Sequence, residues 1–304
     1  MRPGAALGPF TMAVAHHRFE RWRARAAVAL LSASVLSMAM MTAPARAQPL
    51  EQWKCTGRPD IAWDEQISGC TSAIKSGKLV GRDLAAALVN RGSAYRARGQ
   101  LDQAIRDYDQ AIKLDPNDVD AFFGRGVAHG RRREFDSAIA DFDRVIALKP
   151  DHVGALYSRG LTYSNKGQWQ RAIQDYDQAI KFSPDNVMAI TNRGNAYLAL
   201  KQYDRSIADY DRAIELDPNE AIPFNNRGSA YYQTGQVDRA MEDFNRAIEL
   251  DPNYPDALDN RGVAYLGNGE YDRAITDFNQ ALKLNPNDAD AARGRAQALA
   301  KKNK

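Results

Sequence analysis

The chain has 304 residues, 44% hydrophobic and 26% charged, a balance that excludes a disordered, collagen-like or multi-span membrane polypeptide. Its formal charge of +3 comes from residues 1–47, where Arg2, Arg18, Arg21, Arg23, Arg25 and Arg46 face the single acid Glu20; without them 35 basic residues stand against 37 acidic ones. That remainder, slightly acidic and with both signs interspersed, lacks the basic patch of a nucleic-acid binder, so no nucleic-acid partner is expected.

Residues 26–43 (AAVALLSASVLSMAMMTA) carry no charge, follow the arginine-rich leader and run into Ala45-Arg46-Ala47. This is the layout of a secretory signal spanning 1–47, with cleavage expected after Ala47. Two alternatives stay open: translation from Met12, which shortens a long leader, and retention of the apolar stretch as an inner-membrane anchor, since its length just spans a bilayer. No later apolar run follows, so membrane insertion of the mature chain is not expected. The arginine-rich leader and alanine-rich cut site point to the periplasm of a Gram-negative bacterium.

Cys55 and Cys70 are the only cysteines. Beyond the cut site they meet an oxidising compartment, and a mutual disulfide is expected, stabilising by roughly 3 kcal/mol in the chain-entropy picture, with free or intermolecular thiols as the alternative. The spacing is not that of a CxxC redox pair, and two cysteines without nearby histidines make no zinc site. Asp64–Ser76 reads as a lone helix whose Cys70, Ala73 and Ile74 cover the first of the repeats that begin at residue 85, so residues 48–84 form a disulfide-pinned segment and capping helix.

From residue 85 onward the chain repeats itself. Arg-Gly pairs fall at Arg91-Gly92, Arg125-Gly126, Arg159-Gly160, Arg193-Gly194, Arg227-Gly228 and Arg261-Gly262, a period of 34, and Pro116, Pro150, Pro184, Pro218, Pro252 and Pro286 keep the same interval. Each Gly is followed three residues on by Tyr or, once, His129, then by a small residue (Ala104, Ala138, Ala172, Ser206, Ala240, Ala274) and an aromatic (Tyr108, Phe142, Tyr176, Tyr210, Phe244, Phe278). Apolar positions such as Ala104, Tyr108, Ala111 and Ile112 line one helical face. Leu-Asp-Pro ends the second helix of repeats one, four and five, because proline disfavours helix in its predecessor. Each unit leaves a hydrophobic face that its neighbour must cover, which predicts an all-α stack of antiparallel helix pairs.

These 34-residue units resemble tetratricopeptide repeats, in six copies at 85–118, 119–152, 153–186, 187–220, 221–254 and 255–288. The resemblance implies a right-handed superhelical solenoid with a concave groove lined by the first helix of each pair, and a binding function without one fixed ligand. Residues 289–304 begin like a seventh first helix, with Arg293-Gly294 two positions ahead of the register and a polar Lys301, Lys302, Asn303, Lys304 tail suited to a solvating cap.

Two ladders stand out. The family more often has Leu where all six repeats here have Arg, and every one of them also has an acid 16 residues later: Asp107, Asp141, Asp175, Asp209, Asp243 and Asp277. Joint recurrence points to structural guanidinium–carboxylate pairs, the alternative being a ladder of free arginines awaiting an acidic ligand. Before the Arg stands Asn90, Asn192, Asn226 or Asn260, interrupted by Gly124 and Ser158. In the family, similar asparagines hold the backbone of an extended peptide, having both donor and acceptor; the alternative is an indifferent solvated helix face. Phe123, Tyr157, Asn195, Asn225, Tyr232 and Gln233 join the asparagines as groove candidates. The lysines of the family's carboxylate-clamp variant would stand at Ala86, Val89, Asp120 and Gly154, so that variant is not expected.

Arg131, Arg132 and Arg133 read as a solvated turn. His16 and His17 lie in the signal, His129 replaces a packing Tyr and His152 sits in a turn; no nucleophile motif, phosphate loop or metal spacing appears, so neither an enzyme nor a cofactor is expected. The expected function is a scaffold that binds a peptide or protein partner in its groove. The alternatives are a self-associating cell-envelope protein forming homo-oligomers and, behind it, a subunit of an enzyme complex.

Overall fold

A computed structural model describes Cys55 and residues 61–303; the segment expected to be an export signal, its expected cut site and the alternative Met12 start lie outside the described residues. The described residues form fourteen helices and no strand. They divide into two compact units that meet between Pro218 and Asn219.

The first unit opens with α1 (Trp63–Lys75) and continues as helix pairs α2 (Gly81–Ala97) with α3 (Leu101–Leu114), α4 (Val119–Arg131) with α5 (Phe135–Leu148), α6 (Val153–Asn165) with α7 (Trp169–Phe182), and α8 (Val187–Ala199) with α9 (Tyr203–Leu216). The second unit holds α10 (Ala221–Gln233) with α11 (Val237–Leu250), α12 (Pro255–Gly267) with α13 (Tyr271–Leu284), and a last helix α14 (Ala289–Lys302). Within each unit every helix packs on its chain neighbours, and first helices also touch the next first helix.

Strongly amphipathic second helices supply the core: Ala104, Tyr108 and Ala111 are fully buried on one face of α3, and Ala172, Tyr176 and Ala179 repeat this on α7. The ring of each aromatic occupies space left by a glycine on the facing first helix. A Cβ on Gly126 would lie 2.7 Å from Phe142 Cε1 and 3.1 Å from Asp141 Cβ, which is why no larger residue stands there.

Side chains cap the helices α4, α6, α8 and α14. Asp118, Asn186 and Asp288 accept from the backbone N–H of Ala121, Ala189 and Ala291. His152 does the same through Nδ1, 3.0 Å from Ala155 N, so this ring carries its proton on Nε2. The turn between paired helices needs a left-handed residue, which is Gly99, Gly167, Gly235 or Gly269 in four repeats; Arg133 (φ 63°) and Lys201 (φ 58°) hold that position in the other two.

At the N-terminal edge Cys55 and Cys70 form a disulfide with the sulfurs 2.11 Å apart, and Cys70 and Ile74 pack against Ala87. Gln66, which no sequence pattern singles out, is buried and its Nε2 donates to Asn90 O. At the other end the register differs from expectation. Arg295, 34 residues after Arg261, holds the repeat's arginine position and donates to Asn279 Oδ1 at 3.2 Å. Gly294 lies one place earlier against Phe278, just as Gly124 lies against Tyr108; the Arg293-Gly294 pair is not a shifted repeat signature.

Candidate functional site

The arginine ladder is a set of forks. Arg91, Arg125, Arg159, Arg193, Arg227 and Arg261 each donate through Nε and Nη2 to both oxygens of Asp107, Asp141, Asp175, Asp209, Asp243 and Asp277, at 2.5–3.0 Å. The carboxylates are buried. The remaining nitrogen reaches the preceding repeat: Arg125 Nη1 to Asp109, Arg159 to Asp143, Arg193 to Asp177 and Arg261 to Asn245. Arg91, at the edge, turns to Thr71 of the capping helix.

Each guanidinium therefore ties its own pair of helices together and, in these cases, fastens that pair to the previous one. The hydrogen bond to Asp175 holds Arg159 above its ordinary pKa, and burial lifts the Asp175 and Asp209 carboxyls. The second partner is legible in the sequence as a further period-34 set, Asp109, Asp143, Asp177, Asp211, Asn245 and Asn279, which a search for one Arg–Asp pair per repeat passes over.

Three of the four asparagines reach back along the chain. Asn90 Nδ2 donates to Cys55 O at 2.8 Å, Asn192 Nδ2 to Tyr157 Oη at 3.2 Å and Asn260 Nδ2 to Asn225 Oδ1 at 2.9 Å, each a step of 35 residues backwards. This gives the recurrence a packing cause. Asn192 Nδ2 also meets Met188 O, and Asn260 Nδ2 lies 3.3 Å from Ser229 Oγ. A peptide on this face would find those amide nitrogens already engaged. Asn225 and Asn260 are 1% exposed and Asn226 is 8% exposed, so all three are withdrawn from the surface.

The other candidates scatter over the first helices. Phe123 lies against Phe142 and the His152 ring, with centroids 6.1 and 4.9 Å away, and is half-buried. Tyr157 is buried against Tyr176, and burial lifts its phenol. Asn195 accepts from Tyr210 Oη at 2.8 Å. Tyr232 is half-buried with its hydroxyl over Gly267, and Gln233 is exposed. Of the histidines, His129 Nδ1 is 2.6 Å from Glu134, and His152 serves as a cap. Arg132 pairs with Asp102 and Glu134.

Three buried oxygens on first helices have no hydrogen-bond partner among the described residues: Thr191 Oγ1 on α8, and Asp259 Oδ1 and Asn260 Oδ1 on α12. All occupy the two places just before the repeat arginine, the helix face that carries the asparagine candidates. Asp259 is 3% exposed. Burial, together with the charges of Asp288 and Asp256, raises its pKa to about 7; burial and Asp288 raise that of Asp256 to about 6. Sequence reasoning misses this grouping because two acids come from one helix and the third is the cap of another, 29 residues or more along the chain, and Asp256 and Asp259 have no acidic counterparts in the preceding repeat.

No helix among the described residues is long and apolar enough to cross a membrane. Profiles described as TPR repeat match residues 92–132, 194–235 and 228–269, and profiles described as tetratricopeptide repeat match 126–190, 175–208 and 255–288. Together they run without a gap from 92 to 288. None of the curated proteins matches.

Among solved structures, a tetratricopeptide repeat protein from Parabacteroides merdae is similar at 22% identity, covering 78% of this chain and 92% of its own, with a TM-score of 0.62. The pilF protein of Pseudomonas aeruginosa is similar at 18% identity, covering 71% and 99%, also at 0.62. MamA is similar at 26% identity over 53% of this chain and 94% of its own, at 0.51. With its period, helix pairs and close glycine–aromatic contacts in place, the chain belongs to the tetratricopeptide repeat family, whose all-α solenoid is in general a non-enzymatic scaffold for protein–protein interaction.

Proposed function

We propose that this chain is an exported scaffold that performs no chemistry and holds an extended peptide segment of a protein partner against its first-helix face. The observation that carries the reading is the pair of partnerless buried oxygens on α12 of the second unit, Asp259 Oδ1 and Asn260 Oδ1; Thr191 Oγ1 on α8 is a like case within the first unit. A buried polar atom without a partner costs about 1–3 kcal/mol, and native structures seldom leave one without a reason. A peptide supplies backbone N–H donors to such a face whatever its side chains. Export into an oxidising compartment is part of the proposal, and the Cys55–Cys70 disulfide supports it.

The test adds the same bulk to two faces of one repeat. Ser158→Trp places an indole on the first-helix face of α6, while Gln170→Trp places one on the exposed side of α7. Residues 48–304 of each form are offered an immobilised library of degenerate decapeptides. The expected result is retention by the unsubstituted chain and by Gln170→Trp, and loss with Ser158→Trp at unchanged helicity. Equal retention by both variants, or retention by none of the three, would refute the proposal.

A further inference from the structure

The last repeat carries negative charge without a matching cation. Asp256 and Asp259 stand one turn apart on α12, and Asp288 caps α14, which packs against α12. Asp288 is satisfied, its Oδ1 accepting from the N–H groups of Asp290 and Ala291, each at 3.1 Å. Asp256 and Asp259 are not: neither forms an ion pair among the described residues, and Asp259 Oδ1 is buried with no donor. The cation that acts on Asp259 is Arg293, which is largely exposed and already paired with Asp290. On the next residue Asn260 Oδ1 is likewise buried and partnerless, with its Nδ2 turned to Asn225 and Ser229 of α10.

A buried carboxyl pair remains ionised at neutral pH only if a cation joins it; otherwise it takes up protons. Among the described residues no three acidic, histidine or cysteine side chains converge to hold a metal ion. A nitrogen cation needs fewer acceptors than a metal and brings the N–H donors these oxygens lack. Asp256, half-buried, is the more accessible of the pair, and Asp259 is buried.

We propose that Asp256 and Asp259 receive the side chain of a lysine or arginine in the bound peptide, so that the partner is a basic segment and the last repeat fixes its position. This rests on the peptide-binding reading above and adds the charge of the ligand to it. It inverts the charge logic of a site that captures carboxylates.

The probes are acetylated, amidated decapeptides of Gly, Ser and Val with one central Lys, Arg, norleucine or Glu. Each is titrated by fluorescence anisotropy into residues 48–304, into Asp256→Asn/Asp259→Asn and into Asp238→Asn/Glu242→Gln, which removes the same charge from exposed positions of α11. The expected result is that the unsubstituted chain and the α11 variant hold Lys and Arg peptides roughly tenfold more tightly than norleucine, and that the Asp256/Asp259 variant loses the preference. Norleucine bound as tightly as Lys would overturn this inference and leave the peptide-binding reading standing. No binding of any peptide would sink both. Loss of the preference in the α11 variant as well would show a long-range field rather than a site, and calcium binding to the pair in place of the Lys peptide would show a metal site; either overturns the proposal.

Discussion

Arg193→Leu installs the residue that tetratricopeptide repeats more often carry at this place, and the structure makes it a destabilising change. Arg193 Nε and Nη2 fork Asp209 at 2.9 and 2.6 Å, while Nη1 reaches Asp177 at 2.7 Å. Asp209 is 7% exposed, so removing the guanidinium strands a buried carboxylate, a loss of about 3–5 kcal/mol. Asp177 has a side chain 46% exposed, and its share is below about 1 kcal/mol. Arg193→Leu/Asp209→Leu removes both charges and should return to within about 2 kcal/mol of the unsubstituted chain, because apolar side chains can replace a buried pair at little cost.

The assay is urea unfolding of residues 48–304 followed by far-ultraviolet circular dichroism. It is fitted with a nearest-neighbour repeat scheme, since stacked repeats need not unfold together. The single variant's deficit should also shrink as pH falls and Asp209 takes up a proton. An Arg193→Leu chain as stable as the original, or a double variant no better than the single one, would refute the reasoning.

Particular contacts set the other expected outcomes. Asp259, with a folded pKa of about 7 against an ordinary 3.8, binds more protons folded than unfolded between those values; stability should fall by about 2–4 kcal/mol as pH rises from about 4 to 7, and Asp259→Asn should flatten that slope in urea titrations across the range. Arg133→Gly and Lys201→Gly relieve left-handed backbone and should each stabilise by about 0.5–1 kcal/mol, read as a raised melting temperature. Gly126→Ala forces a methyl into the buried Phe142 ring and should destabilise by about 1–3 kcal/mol in the same unfolding assay. Reducing Cys55–Cys70 should remove about 3 kcal/mol of restraint and speed hydrogen exchange in α1 ahead of α5.

The parts of this molecule that repeat are the parts readable from its residues. Arg91 to Arg261, the prolines and the Ala–aromatic pairs share one interval, so one physical solution explains six copies, and α1 and α14 arise from the need to cover the ends of a stack. The asparagines show where periodicity alone does not assign a role: Asn90, Asn192 and Asn260 each donate to a group 35 residues earlier. A contact 35 residues away leaves no mark in the local pattern that a solvent-facing or ligand-facing asparagine would not also leave. Arg295 is hidden for a simpler reason, since the eye tracks an Arg-Gly pair and here the glycine precedes the arginine. The acids at 256, 259 and 288 cannot be joined without the packing of α12 against α14.

The central claim, that a partner lies on the first-helix face, is tested most directly by site-specific photocrosslinking in cells of the native source. A benzoylphenylalanine is placed in one chain at Ile222, on α10, and in another at Glu242, on the exposed side of α11. The expected result is a discrete heterologous adduct from position 222 whose tryptic peptides carry Lys or Arg at the contact, with none from position 242. Adducts from position 242 alone, or only dimers of the chain itself from both positions, would contradict the account.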